Sequence, residues 1–112
     1  MKKSGLITIA VILAVIIIAV IVLTRSHPET DSEIATCIGE NSVLYIQLGC
    51  HACELQEDLF GENYQYLNVI DCFFDQDTCI EKEIRATPTW IINEEKYVGA
   101  RSVKELKELA GC

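Results

Sequence analysis

The stretch Leu48–Leu55 reads LGCHACEL and places Cys50 and Cys53 three positions apart. Three chemistries use such a pair: a redox-active disulfide, half of a metal site, and a structural cross-link. The flanking sequence separates them. Before the pair, Val43–Leu48 (VLYIQL) puts Leu44, Ile46 and Leu48 on one face and Val43, Tyr45 and Gln47 on the other. Both faces are largely apolar, the pattern of a central strand covered on two sides. After it, Ala52, Leu55, Leu59 and Phe60 keep helical spacing up to Gly61. The segment CHAC therefore opens a helix directly after a buried strand.

That position has chemical consequences. A cysteine at a helix N-terminus meets unpaired N–H groups and the positive end of the helix dipole, and both favour thiolate. On one helical turn the second sulfur comes within disulfide reach, so Cys50 can exchange with an outside sulfur and Cys53 can resolve the mixed disulfide. A zinc site takes four ligands, usually from paired motifs. Cys50, His51 and Cys53 offer three, and Cys72 and Cys79, separated by six residues, form no second C-x-x-C. A purely structural cross-link would close a very small loop, where the gain is least. His51 has two readings: a modulator that stabilises thiolate when protonated, or a solvated first-turn residue.

Working outward, Ile34, Cys37 and Ile38 form a short helical face that Gly39–Ser42 (GENS) is expected to break. A second strand is predicted over Tyr66–Asp71. Asp77 is predicted to cap a short helix with Ile80 and Ile84 on one face, followed by Arg85-Ala86-Thr87-Pro88. Thr89–Asn93 and Lys96–Gly99 read as a hairpin around Glu94-Glu95, with Trp90 and Tyr97 in core or rim positions. Ser102 and Glu105 fit a capping box for a last helix in which Val103, Leu106 and Ala110 share a face up to Gly111. Strands joined through a helix run parallel and a hairpin runs antiparallel. The expected fold is α/β, a four-stranded mixed sheet with flanking helices over residues 33–112.

The first part of the chain is of another kind. Leu6–Leu23 (LITIAVILAVIIIAVIVL) carries no charge and one polar residue, Thr8. As a helix it would span about 27 Å, close to the roughly 30 Å of a bilayer core. It reads as a transmembrane anchor over residues 6–23, followed by a polar linker over residues 24–32. A cleaved signal peptide is the competing reading, but its apolar region would be unusually long and no small-x-small site precedes the polar stretch. Lys2 and Lys3 precede the span, so residues 1–5 are expected in the cytoplasm and the domain outside it. All 17 acidic residues follow the span, against seven of the nine Lys and Arg, a formal charge of −10. That balance argues against nucleic acid and anionic lipid surfaces as partners. A domain of about 80 residues is marginal on its core alone, and six cysteines outside the cytoplasm suggest covalent support.

With these residues in view, Val43–Gly111 resembles the thioredoxin fold, with CHAC in the place of its redox motif and Thr87-Pro88 in the place of its proline loop. The resemblance is closest to the thioredoxin-like domains fused to, or working with, vitamin K epoxide reductase-like membrane proteins, and covers roughly residues 34–112. It rests on C-x-x-C followed by ELQ and LFG, on Cys72 and Cys79, and on TPTWIIN, KYVGARS and LKELAG. It implies that Cys50 and Cys53 are catalytic, that Pro88 follows a cis peptide bond beside them, and that Thr87 offers its backbone to an extended substrate chain. It implies a Cys72–Cys79 pair, and relatives with a cysteine before the first strand and another at the end suggest Cys37–Cys112. No cofactor beyond the Cys50–Cys53 disulfide is expected, and no metal.

Three positions depart from these relatives: Gly49 replaces a tryptophan, His51 follows the first cysteine rather than preceding the second, and Leu44 stands where thioredoxins bury an acid. The function implied is a membrane-anchored, extracytoplasmic thiol–disulfide oxidoreductase that oxidises cysteines of secreted proteins and is reoxidised by a vitamin K epoxide reductase-like partner. Two alternatives stay open: a reductase or isomerase of the same fold, delivering electrons for example to apocytochrome cysteines, and a non-enzymatic metal-binding module.

Overall fold

The structure, a computed structural model, describes residues 2–24 and 31–112. Most of the predicted linker, residues 25–30, lies outside the described residues. Helix α1 (Lys2–Thr24) buries none of its residues and is long and apolar enough to cross a membrane. Helix α2 (Ser32–Asn41) begins at an Asp31 cap, whose carboxylate accepts from the Glu33 N–H. Strand β1 (Ser42–Ile46), helix α3 (His51–Phe60), a 3₁₀ segment (Gly61–Tyr66) and strand β2 (Val69–Asp71) follow. Helix α4 (Gln76–Glu81), strands β3 (Thr89–Ile92) and β4 (Glu95–Val98), and helix α5 (Val103–Ala110) complete the chain.

The sheet order is β2-β1-β3-β4, with β1 and β2 parallel and the other two pairs antiparallel. This is the mixed sheet the sequence predicts, and with the helices around it the fold is thioredoxin-like. Leu44 pairs with Val69 on one side and Trp90 on the other, so one face of β1 reaches both neighbours. On that face Leu44, Trp90 and Ile92 are packed by Ala35 and Ile38 of α2, Phe60 of α3, and Val103, Leu106 and Ala110 of α5. Tyr45 points to the opposite face, where Asp75 and Glu81, at either end of α4, add to the effect of burial in raising its pKa.

Several local expectations differ from the structure, each for a visible reason. Helix α2 runs straight through Gly39, because that glycine is a contact point and not a breaker: a Cβ there would overlap the Tyr66 carbonyl oxygen. The chain from Tyr64 to Tyr66 is accordingly 3₁₀, and β2 starts only at Val69. Strand β1 stops at Ile46; Gln47 and Leu48 belong to the turn into α3, where the Cys50 N–H donates to the Gln47 carbonyl. Asp75, not Asp77, caps α4, accepting from both the Thr78 N–H and its hydroxyl. Ile80 is exposed, and the buried residue of α4 is Cys79. The hairpin turns one residue earlier than predicted, on Asn93 and Glu94, both at positive φ. That is the two-residue turn whose twist matches a hairpin, and asparagine tolerates it.

The last helix follows its sequence signals closely. Ser102 accepts from the Glu105 N–H at 3.2 Å, and Gly111 closes the helix in the left-handed region. Three disulfides cross-link the domain: Cys37–Cys112, Cys50–Cys53 and Cys72–Cys79.

Candidate functional site

Cys50 is the N-cap residue of α3, with extended backbone, and its sulfur accepts from the Cys53 N–H at 3.2 Å. A sulfur in that place takes one of the helix's four unpaired N–H groups, which stabilises negative charge on it once the disulfide opens. The pair is joined, with the two Cα atoms 5.2 Å apart. The sulfurs differ in access: Cys50 is half-buried, whereas Cys53 is buried at 5% exposure. An incoming sulfur therefore meets Cys50 first.

The chain crosses this sulfur once more. The Thr87–Pro88 peptide bond is cis, and the Cys50 sulfur lies 3.5 Å from the Thr87 carbonyl oxygen. Pro88 is buried and its carbonyl accepts from the Gly99 N–H at 2.8 Å, which pins the loop to the end of β4. The Thr89 hydroxyl donates back to the Ala86 carbonyl, tightening the same turn.

Around the pair, His51 is the first residue of α3, and its side chain is 84% exposed with Nδ1 3.8 Å from Glu54. That is the geometry of a solvated first-turn residue. Leu44 is fully buried between Val69 and Trp90, so no carboxylate occupies the place on β1 where thioredoxins keep one. Among the described residues, no three His, Cys, Asp or Glu side chains converge as a metal-ligand set.

The buried polar side chain next to the site is one the sequence reading assigned no role. Helical spacing groups Leu55 with Ala52, Leu59 and Phe60, but Leu55 is exposed and Gln56 is fully buried. The inward stripe is Cys53, Gln56 and Phe60, spaced three and four apart. Gln56 Oε1 accepts from Trp90 Nε1–H at 3.0 Å and from the Arg101 N–H at 2.7 Å, and its Nε2 donates to the Arg101 carbonyl at 3.0 Å. The Arg101 guanidinium is fixed in turn by Glu105 at 2.9 Å and the Val98 carbonyl at 3.0 Å, above the Tyr97 ring. The available signal was spacing, since Cys53, Gln56 and Phe60 keep one helical face; polarity hid it.

Beyond the site, Cys72–Cys79 ties the end of β2 to α4, and Cys37–Cys112 ties α2 to the end of α5. The Asp71 carboxylate accepts from the N–H groups of Leu48 and Phe73. It thereby joins the turn before Cys50 to the loop before Cys79.

No protein-family model matches the chain. It is 32% identical over 77 residues to the thiol-disulfide oxidoreductase LTO1 of Arabidopsis thaliana, an alignment covering 61% of this chain and 20% of that protein. The chain thus spans about a fifth of that relative's length. Among solved structures it is similar to the oxidised thioredoxin of Plasmodium falciparum, at 20% identity and a TM-score of 0.47, covering 71% of this chain and 91% of that one. It is also similar to an N-terminal domain of alkylhydroperoxide reductase AhpF from Enterococcus faecalis, at 18% identity and a TM-score of 0.44, covering 70% and 43% of the two chains.

Proposed function

We propose that this protein is a membrane-anchored thiol–disulfide oxidoreductase, working outside the cytoplasm and oxidising cysteines of secreted proteins. One observation carries the reading: a joined Cys50–Cys53 pair at the start of α3, its outer sulfur set against the Thr87 carbonyl. The likeness to a thiol-disulfide oxidoreductase over 61% of the chain supports it. The apolar α1, with Lys2 and Lys3 at its start, supports the anchor and its orientation.

The chemistry is a two-electron exchange. A substrate thiolate attacks Cys50, the Cys50–Cys53 bond breaks, and Cys53 leaves as a thiolate that takes up a proton. A second substrate thiolate then attacks its own mixed-disulfide sulfur and releases Cys50. The substrate loses two electrons and two protons; the protein gains them as a dithiol. Cys50 is the sulfur attacked, Cys53 the leaving and resolving thiol, and Thr87 and Pro88 the edge along which an extended substrate chain lies. Cys72–Cys79 and Cys37–Cys112 act as structural disulfides. A vitamin K epoxide reductase-like membrane oxidase would then accept the electrons and restore the disulfide. The anchor raises the effective concentration of such a partner.

Two experiments test this. Titration against glutathione buffers gives the potential of the pair. A value near the reducing end, about −270 mV as for thioredoxin, would overturn the oxidase direction in favour of a reductase. A Cys53→Ala variant in the native membrane should accumulate mixed disulfides at Cys50, and their partners identify both the substrates and the oxidase. Absence of any Cys50-linked species would count against the function itself.

A further inference from the structure

Gln56 is the one polar side chain in the buried stripe of α3, lying one turn beyond Cys53 and fully buried. Burying an amide is costly unless its donor and acceptor groups are met, and here three hydrogen bonds meet them. The partners matter more than their number. Trp90 stands on β3 two residues after Pro88. Arg101 stands two residues after Gly99, whose N–H holds the Pro88 carbonyl. Gln56 therefore grips the proline segment along β3 and again across the end of β4. The same segment carries the Thr87 carbonyl that faces the Cys50 sulfur.

We propose that Gln56 is a positioning residue for the Cys50–Cys53 pair: through Trp90 and Arg101 it fixes the start of α3 against Thr87, and so fixes how Cys50 meets an incoming sulfur. The inference deepens the oxidoreductase reading and rests on it. Sulfur exchange needs close alignment, and small displacements of reacting groups are costly in rate. The requirement is specific to an amide. A carboxylate accepts from Trp90 and the Arg101 N–H but sets a lone pair against the Arg101 carbonyl. A thioether meets none of the three. A protonated carboxyl restores all of them, because it can both accept and donate.

The test uses the full chain in detergent and compares wild type with Gln56→Met and Gln56→Glu at pH 5 and pH 8. Two quantities are read: the equilibrium constant of the Cys50–Cys53 pair with glutathione, and the rate at which dithiothreitol opens it. Gln56→Met should shift the equilibrium about tenfold, or roughly 30 mV, and change the rate on a similar scale at both pH values. Gln56→Glu should match Gln56→Met at pH 8 and return to wild type at pH 5. Emission of Trp90, the only tryptophan, should follow the same pattern. Folded variants with a lowered Tm but wild-type equilibrium and rate would overturn the proposal, as would a Gln56→Glu defect equal at both pH values. Should either variant fail to fold, Trp90→Phe removes a single bond and keeps a ring beside Phe60; about a threefold shift supports the proposal, and none overturns it. These readings concern the pair alone, so they stand even if the wild type oxidises no protein substrate, which is the separate test of the proposed function.

Discussion

Asp71 holds Leu48: the carboxylate at the end of β2 accepts the Leu48 N–H at 3.2 Å, two residues before Cys50, and the Phe73 N–H at 2.9 Å. One side chain thus ties the turn before the Cys50–Cys53 pair to the loop closed by Cys72–Cys79. Asp71→Ala frees both N–H groups. Hydrogen bonds to a charged acceptor contribute about 1.5–3 kcal/mol each when shielded and less when exposed, as here. Urea unfolding of the oxidised protein should show a loss of about 1–2 kcal/mol. An unchanged midpoint would mean that water replaces Asp71 at no cost.

Gly39 reverses an ordinary rule. In a helix interior, Gly→Ala normally stabilises by about 1 kcal/mol. Here the added methyl would meet the Tyr66 carbonyl, a backbone atom that cannot swing aside. Gly39→Ala is expected to destabilise by about 1–3 kcal/mol, the usual cost of overpacking. Thermal unfolding reads the sign directly, and a higher Tm would show that the 3₁₀ segment yields.

Tyr64 gives a pH dependence. Its pKa is pushed up to about 12, first by burial and then by Glu57 and Asp71. Because the folded value lies above the unfolded 10, the contribution to stability is complete below pH 10 and is lost as pH rises toward 12. The buried hydroxyl also has no hydrogen-bond partner among the described residues. Tyr64→Phe should therefore raise stability at pH 8 by about 1 kcal/mol and flatten the decline between pH 10 and 12. Urea midpoints across that range check both parts, and parallel wild-type and variant curves would contradict the second.

The two disulfides apart from Cys50–Cys53 rank by the loop each closes. In the chain-entropy picture, the Cys37–Cys112 bridge, with a separation of 75 residues, stabilises by up to about 4.5 kcal/mol. Cys72–Cys79, with a separation of 7, contributes up to about 2.5 kcal/mol. Replacing each pair by alanine should reproduce that order in denaturant midpoints. Glutathione equilibrium at Cys50–Cys53 should change less for the Cys37–Cys112 variant, because Cys72 follows Asp71, the residue that holds Leu48.

What was legible in the sequence was the periodic part. Strand β1, the helix after it, the hairpin and the capped last helix follow from alternation, helical spacing and cap residues, and together they place Cys50 at a helix start. Three roles were not legible, for one physical reason. Gly39, Asp71 and Gln56 are set by tertiary contacts, and neither propensity nor hydrophobicity carries those. A glycine read as a breaker is a point of close approach; a glutamine outside the apolar pattern is the polar centre of α3. Leu55 fits the helical spacing of the apolar residues, yet the helix phase is set by Cys53 and Phe60, and that phase turns Gln56 inward.

The Cys37–Cys112 bridge makes the domain a covalent ring that begins in α2, the helix that follows α1. A protease that nicks any loop between those two cysteines would release nothing: both fragments would stay fastened to α1 until the bridge is reduced.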